Sequence, residues 1–278
     1  MLFWAGGLIL DVRRIQYELR KRRAEEILDF AFVVIREKLG QVLRICLPLM
    51  ALFLIADAAL SQWLKTISEG DRALEQVLMV PVVLTQLMLI QIPLFHMNAR
   101  WLFEPEVRDR VIWKDSLKSF FPFLFRIVIP YFLQLTILAP LLITVWNVLI
   151  RGFYRPEVLF LEGLRGKDMR KRISSLTSAL QVFTFWLFHM ILFWVAMFLA
   201  LSFCEAVLEL LRVQNFEDYT SFSLTSPLFL FLVFLYSVFF AVSRFLFYVD
   251  ARTFLEGWDL ELQFIRGLDE MTSQKRIS

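Results

Sequence analysis

Seven ionisable side chains stand in stretches that are otherwise almost wholly apolar: Arg126, Arg151, Arg155, Glu157, Glu162, Arg244 and Asp250. A charge inside an apolar segment of membrane length is costly, so each is a candidate for function by default. Both signs are present, and two chemistries fit. One is a polar pocket at the inner leaflet that takes a lipid headgroup, an anionic solute or a partner helix. The other is pairing between helices, helped by snorkelling near their ends. Arg151 and Arg155 are four residues apart, share a helical face, and are the first choice for a ligand contact. The ligand-binding candidates are Arg126, Arg151, Arg155, Glu162, Arg244 and Asp250.

Other chemistry has less to stand on. Asp57 and His189 sit alone among apolar residues, where a proton-coupled carrier would use such a pair. A hydrogen bond to a neighbouring helix explains His189 equally, and access to water explains Asp57. Two histidines and two separated cysteines, Cys46 and Cys204, make no zinc set. No metal or cofactor is expected. The chain has no H-E-x-x-H, G-x-S-x-G or G-x-x-x-x-G-K-[ST] motif. Its polar segments reach only about 25–40 residues, too short for a separate catalytic domain. No enzyme is expected. Carriers often break their helices with glycine or proline at a central site, yet of nine glycines only Gly152 falls inside an expected span.

The elements that must position these groups follow from composition and charge. The chain has 278 residues, 58% of them hydrophobic, including 30 Phe and 8 Trp, and a mean hydropathy of +0.61. Soluble domains are about 45–50% apolar. Here the apolar residues fall in blocks of roughly 20, the length that crosses a hydrocarbon core of about 30 Å. A soluble globular enzyme, a disordered chain and a disulfide-rich secreted domain are excluded. Clear spans are expected at 41–64, 77–99, 176–204 and 226–250. Residues 119–162 hold either one long span with a re-entrant surplus or two short spans, 119–139 and 141–162, turning at Pro140.

Charge separates these options. With two spans, 22 of the 30 Lys and Arg lie on one side, in 1–40, 100–118, 163–175 and 251–278. The other side has Lys65, Arg72 and Arg212. The positive-inside rule then favours six spans with both termini cytoplasmic. The expected fold is an all-α integral membrane protein. Three antiparallel hairpins occupy 41–250, between a basic segment 1–40 and a cytoplasmic tail 251–278.

Met1 to Leu10 are apolar but lack the flanks of a cleaved signal peptide, and are too short to span. Arg13, Arg14, Arg20, Lys21, Arg22 and Arg23 precede the apolar stretch Ile27–Ile35. This pattern reads as an amphipathic interfacial helix facing anionic headgroups, or as a solvated basic arm that only sets topology. A net charge of +3 gives no support to nucleic-acid binding.

Two segments are more distinctive than composition requires. One is Arg155-Pro156-Glu157-Val158-Leu159-Phe160-Leu161-Glu162, followed by a basic run and Ser174-Ser175-Leu176. The other runs from Arg244-Phe245-Leu246-Phe247-Tyr248-Val249-Asp250-Ala251-Arg252 to Glu256-Gly257-Trp258-Asp259-Leu260-Glu261-Leu262. Together they resemble a family of bacterial multi-pass inner-membrane proteins of unknown function. The layout is similar to the membrane domain that accompanies some glycerophosphodiester phosphodiesterases. The resemblance covers about 45 residues and implies six helices in a bacterial inner membrane; it implies no reaction, since the phosphodiesterase catalytic domain is absent.

Gly257 is placed to end the last helix and Trp258 to anchor at the interface. Glu256, Asp259 and Glu261 are expected to pair with the basic loops 100–118 and 163–175. The functional expectation is a non-catalytic membrane subunit or scaffold of a bacterial envelope system, engaging a protein partner through its basic cytoplasmic segments. The alternative is a carrier or binder of a lipid or anionic solute through the inner-leaflet arginines.

Overall fold

The computed structural model describes residues 2–5, 8–11, 24–68, 71–102, 104, 107–131, 133, 152–212 and 221–257. A short antiparallel hairpin of β1 (Leu2–Ala5) and β2 (Leu8–Asp11) pairs Leu2 with Asp11 and Ala5 with Leu8. The helices are α1 (Ala24–Glu37), α2 (Leu39–Ile67), α3 (Arg72–Trp101), α4 (Asp109–Phe123), α5 (Arg155–Leu161), α6 (Gly166–Leu176), α7 (Ala179–Leu210) and α8 (Pro227–Glu256). Four of them, α2, α3, α7 and α8, are long and apolar enough to cross a membrane. At 1.5 Å per residue, each exceeds a hydrocarbon core of about 30 Å. They overlap the four clear spans of the sequence, with ends that differ by up to six residues.

α2 and α3 pack antiparallel. Gln41 accepts from the Trp101 indole at 2.9 Å, Gln86 donates to Asp57 at 2.7 Å, and Ser68 donates to Glu75 at 3.1 Å. The turn between them is set by Asp71, whose carboxylate accepts from the Ala73 and Leu74 amides as an N-cap. α7 and α8 also run antiparallel: Phe185 meets Phe247, and Phe193 meets Tyr236. α8 is the central helix, with 67% of its apolar window buried, against 11% for α7. Ser226 caps its start, with Pro227 in the first turn. Gly257 ends it in the left-handed conformation at φ 61°, which a side chain resists.

The remaining helices modify the sequence-based picture. α1 turns Ile27, Ala31 and Val34 inward at helical spacing, and it packs along α8, with Phe32 and Phe239 ring centroids 4.3 Å apart. Its apolar stripe is thus used on protein; the basic residues 13–23 lie outside the described residues. The segment 100–118, expected as a loop, contains most of α4. The segment 163–175 is largely α6, which buries Ile173 and Leu176 and exposes Lys167, Arg170 and Lys171. α4 continues through a π-helical turn, Leu124–Val128, in which the Ile129 amide donates to the Leu124 carbonyl.

Of the expected 141–162 span, the described residues cover 152–162. Phe153 and Tyr154 form a turn, and α5 starts afresh at Arg155. Pro156 supplies the reason: it restricts the residue before it and has no amide hydrogen, so it begins a helix and does not continue one. Residues 134–151, with Pro140, lie outside the described residues. Every residue from Pro156 to Leu161 is buried, so α5 is enclosed by the bundle.

Candidate functional site

α5 and α8 meet along a ladder of polar pairs inside an aromatic core. Arg244, Tyr248 and Arg252 recur every four residues and share one face of α8. The Arg244 Nε donates to Glu157 Oε1 at 2.8 Å, and its Nη1 donates to Gln91 Oε1 on α3 at 2.8 Å. The Tyr248 hydroxyl donates to Glu162 Oε1 at 2.6 Å, and Arg252 Nε stands 4.0 Å from the same oxygen. Arg172 of α6 donates to the other oxygen of Glu162. The Tyr154 hydroxyl donates to the Phe247 carbonyl at 3.5 Å. The two distinctive segments of the sequence are therefore one structural unit. Glu157 is only 1% exposed, so this pairing is what keeps the two charges tolerable in the interior.

Beside the ladder lies a cavity of about 530 Å³, within the range of small-molecule sites. Its walls come from five elements. α3 contributes Leu84, Leu87 and Met88; α4 with its π turn contributes Phe123 and Ile127, followed by Tyr131. α7 supplies Trp186, His189 and Phe193, and α8 supplies Val233, Tyr236 and Phe240. The segment before and into α5 adds Gly152, Phe153, Arg155 and Pro156. A π turn changes the angular spacing of the residues that follow it, and this one occurs where α4 meets the cavity.

The polar groups are unevenly shared out. On the α7–α8 wall, His189 has both ring nitrogens occupied, Nδ1 by the Phe185 carbonyl at 3.0 Å and Nε2 by Ser243 Oγ at 2.7 Å. Tyr236 donates to the His189 carbonyl at 2.7 Å, and Ser237 to the Phe234 carbonyl at 2.6 Å. These groups are satisfied, whereas Trp186 Nε1 on the same wall has no hydrogen-bond partner among the described residues. Arg155, Arg244 and Gln91 gather at the other end. Gly152 packs here at ordinary contact distance, since a Cβ there would sit 3.6 Å from the Tyr131 ring and 3.7 Å from Arg155 Nε. The arrangement is an apolar chamber with a cationic end. It suits binding of an anion with an apolar body, and His189 is not placed as a catalytic base.

Of the ligand-binding candidates, Arg155 and Arg244 come together on the cavity. Arg126 is exposed on the π turn and is not part of the lining, whereas its neighbours Phe123 and Ile127 are. Glu162 belongs to the Tyr248–Arg172–Arg252 cluster, and Asp250 is half-buried outside the lining. Arg151 lies outside the described residues. Sequence reasoning passed over Gln91 and Tyr131; Gln91 carried a signal, a polar side chain in the apolar run Leu89-Ile90-Gln91-Ile92. Asp57, expected near water, is 2% exposed and bonded to Gln86. Both cysteines are free, Cys46 buried and Cys204 half-buried. Among the described residues no group of His, Cys, Asp and Glu is placed to hold a metal. The expected pairing of Asp259 and Glu261 with the basic segments lies outside the described residues.

No family model, no curated protein and no solved structure matches this chain.

Proposed function

We propose that this protein is a bacterial inner-membrane protein that binds an anionic amphiphile, a lipid or a lipid-like solute. Its apolar part enters the cavity and its charge is held by Arg155 beside Arg244. The observation that supports this reading is the chamber itself, whose lining is mostly apolar and includes Arg155 and Arg244. Arg244 also holds Glu157, and Arg155 and Arg244 both line the cavity. The test is quenching of Trp186 by brominated single-chain lipids in a non-ionic detergent, on a background in which Trp186 reports alone. A saturable response to an anionic quencher is expected. Arg155→Ala should weaken it about tenfold or more, the worth of one charge-assisted hydrogen bond. Equal binding of anionic and zwitterionic quenchers, unchanged in the variant, would sink the idea.

The membrane arrangement is part of the same proposal. Six crossings with both termini cytoplasmic agree best with the distribution of Lys and Arg, and the four long apolar helices are compatible with that count. Labelling of single cysteines placed at residues 70, 167 and 215 in intact cells checks it. Reaction at 70 and 215 but not at 167 is expected.

A scaffold role has one specific support, the exposed Lys167, Arg170 and Lys171 of α6. Such a face suits anionic headgroups or an acidic partner. Purification in mild detergent followed by mass spectrometry separates the two roles. A stoichiometric protein favours the scaffold, and an enriched anionic lipid favours the binder.

A further inference from the structure

Asp57 and Gln86 face each other across the α2–α3 pair, away from the polar ladder, and the cavity reading does not depend on them. The Gln86 Nε2 donates to Asp57 Oδ1 at 2.7 Å. Both residues are buried, Asp57 at 2% and Gln86 at 6% exposure. Among the described residues, two atoms of this pair have no hydrogen-bond partner: Asp57 Oδ2 and Gln86 Oε1. Both are oxygens, and in an ionised carboxylate both are acceptors only. Buried acceptors of this kind are rarely left unmet.

A cation would relieve an ionised Asp57, but the neighbouring helices supply none among the described residues. On α3 the titratable groups nearest Gln86 are Glu75 and His96, each about three turns away. α8 passes with Phe234 against Phe53, and its nearest titratable group is Tyr236, already bonded to the His189 carbonyl. α4 meets α2 at the far end, where Asp109 joins Gln41 and Arg44. α1, with Glu26, Asp29 and Arg36, precedes that end. On α2 itself the nearest charge is Lys65, exposed and about two turns on.

We infer that Asp57 is a proton-binding site, held as the neutral acid in a two-bond ring with Gln86. The proton resides on Oδ2 and is donated to Gln86 Oε1, while Gln86 Nε2 donates to Oδ1. One proton satisfies both orphaned oxygens and removes the unpaired charge. The ligand of the site is thus H⁺, and loss of that proton breaks one bond of the ring and charges the α2–α3 contact.

The neutral acid has a near-isosteric mimic in asparagine, whose amide donates where the acid hydroxyl does. The experiment combines infrared spectroscopy with melting of the full chain in detergent. At neutral pH the wild type should show a protonated-carboxyl C=O band that shifts on ¹³C-aspartate labelling and is absent from Asp57→Asn. The variant should melt with the wild type at neutral pH. The wild type should lose stability as pH rises and the proton is released, and the variant should lose less over the same range. A carboxylate signal with no protonated band at neutral pH overturns the inference. So does an Asp57→Asn protein that melts well below the wild type, or a wild-type melt that rises with sodium, since sodium would then fill the gap between the two oxygens. If the variant does not fold, the labelled wild-type spectrum decides alone.

Discussion

Arg244 belongs at once to the buried pairing and to the cavity lining. Its guanidinium holds Glu157 and Gln91 and lies 5.9 Å over the Phe240 ring, while the same side chain lines the cavity. Removing one partner of a buried pair leaves the other uncompensated, at a cost of about 3–5 kcal/mol. Glu157→Leu should therefore lower stability by roughly that amount. Adding Arg244→Leu should recover much of it, because the double variant buries no lone charge. A double-mutant cycle in a detergent unfolding assay reads this directly; additive losses would show that the two residues do not interact. Glu162 stands differently. It has Tyr248, Arg172 and Arg252 around it, so Tyr248→Phe deletes one bond of several, and a smaller loss of about 1.5 kcal/mol is expected in the same assay.

At the scale of elements, the ends of the long helices are set by local chemistry and their middles by packing. Asp71 caps α3 with two side-chain bonds to backbone amides. Asp71→Ala should cost about 1 kcal/mol, measured as a lowered unfolding midpoint. Gly257 ends α8 at φ 61°, and Gly257→Ala should cost a similar amount, about 1 kcal/mol, because the left-handed conformation crowds a Cβ. Both signals were legible: an aspartate before an apolar run and a glycine after one. The break before α5 was legible too, in Pro156, yet it was outweighed by the hydropathy of 141–162, which reports burial but not direction. The β1–β2 hairpin carried its own sign in Gly6-Gly7 between two apolar runs. Apolar composition by itself does not separate such strands from a membrane-seeking segment.

For the whole molecule, the consequence of this packing is a chamber lined by five elements that are far apart in the chain. Filling it tests its role. Leu87→Trp adds bulk to the α3 wall, and it should abolish binding of the anionic quencher while the melting temperature falls by only a few degrees. Loss of the fold instead would mean that the chamber is filled by neighbouring protein. The four long apolar helices, the capping residues and the gathering of Lys and Arg in the segments between apolar blocks follow from the sequence by itself. Hydropathy, capping and charge are local or additive properties, and a chain carries them whatever its contacts. Only the tertiary structure decided that Glu157 meets Arg244, that Glu162 meets Tyr248, and that Asp57 faces Gln86. Several apolar helices can be rotated about their axes at little hydrophobic cost, since nearly every face is apolar. The few polar side chains must find one another, and which ones do so depends on how all the helices turn together.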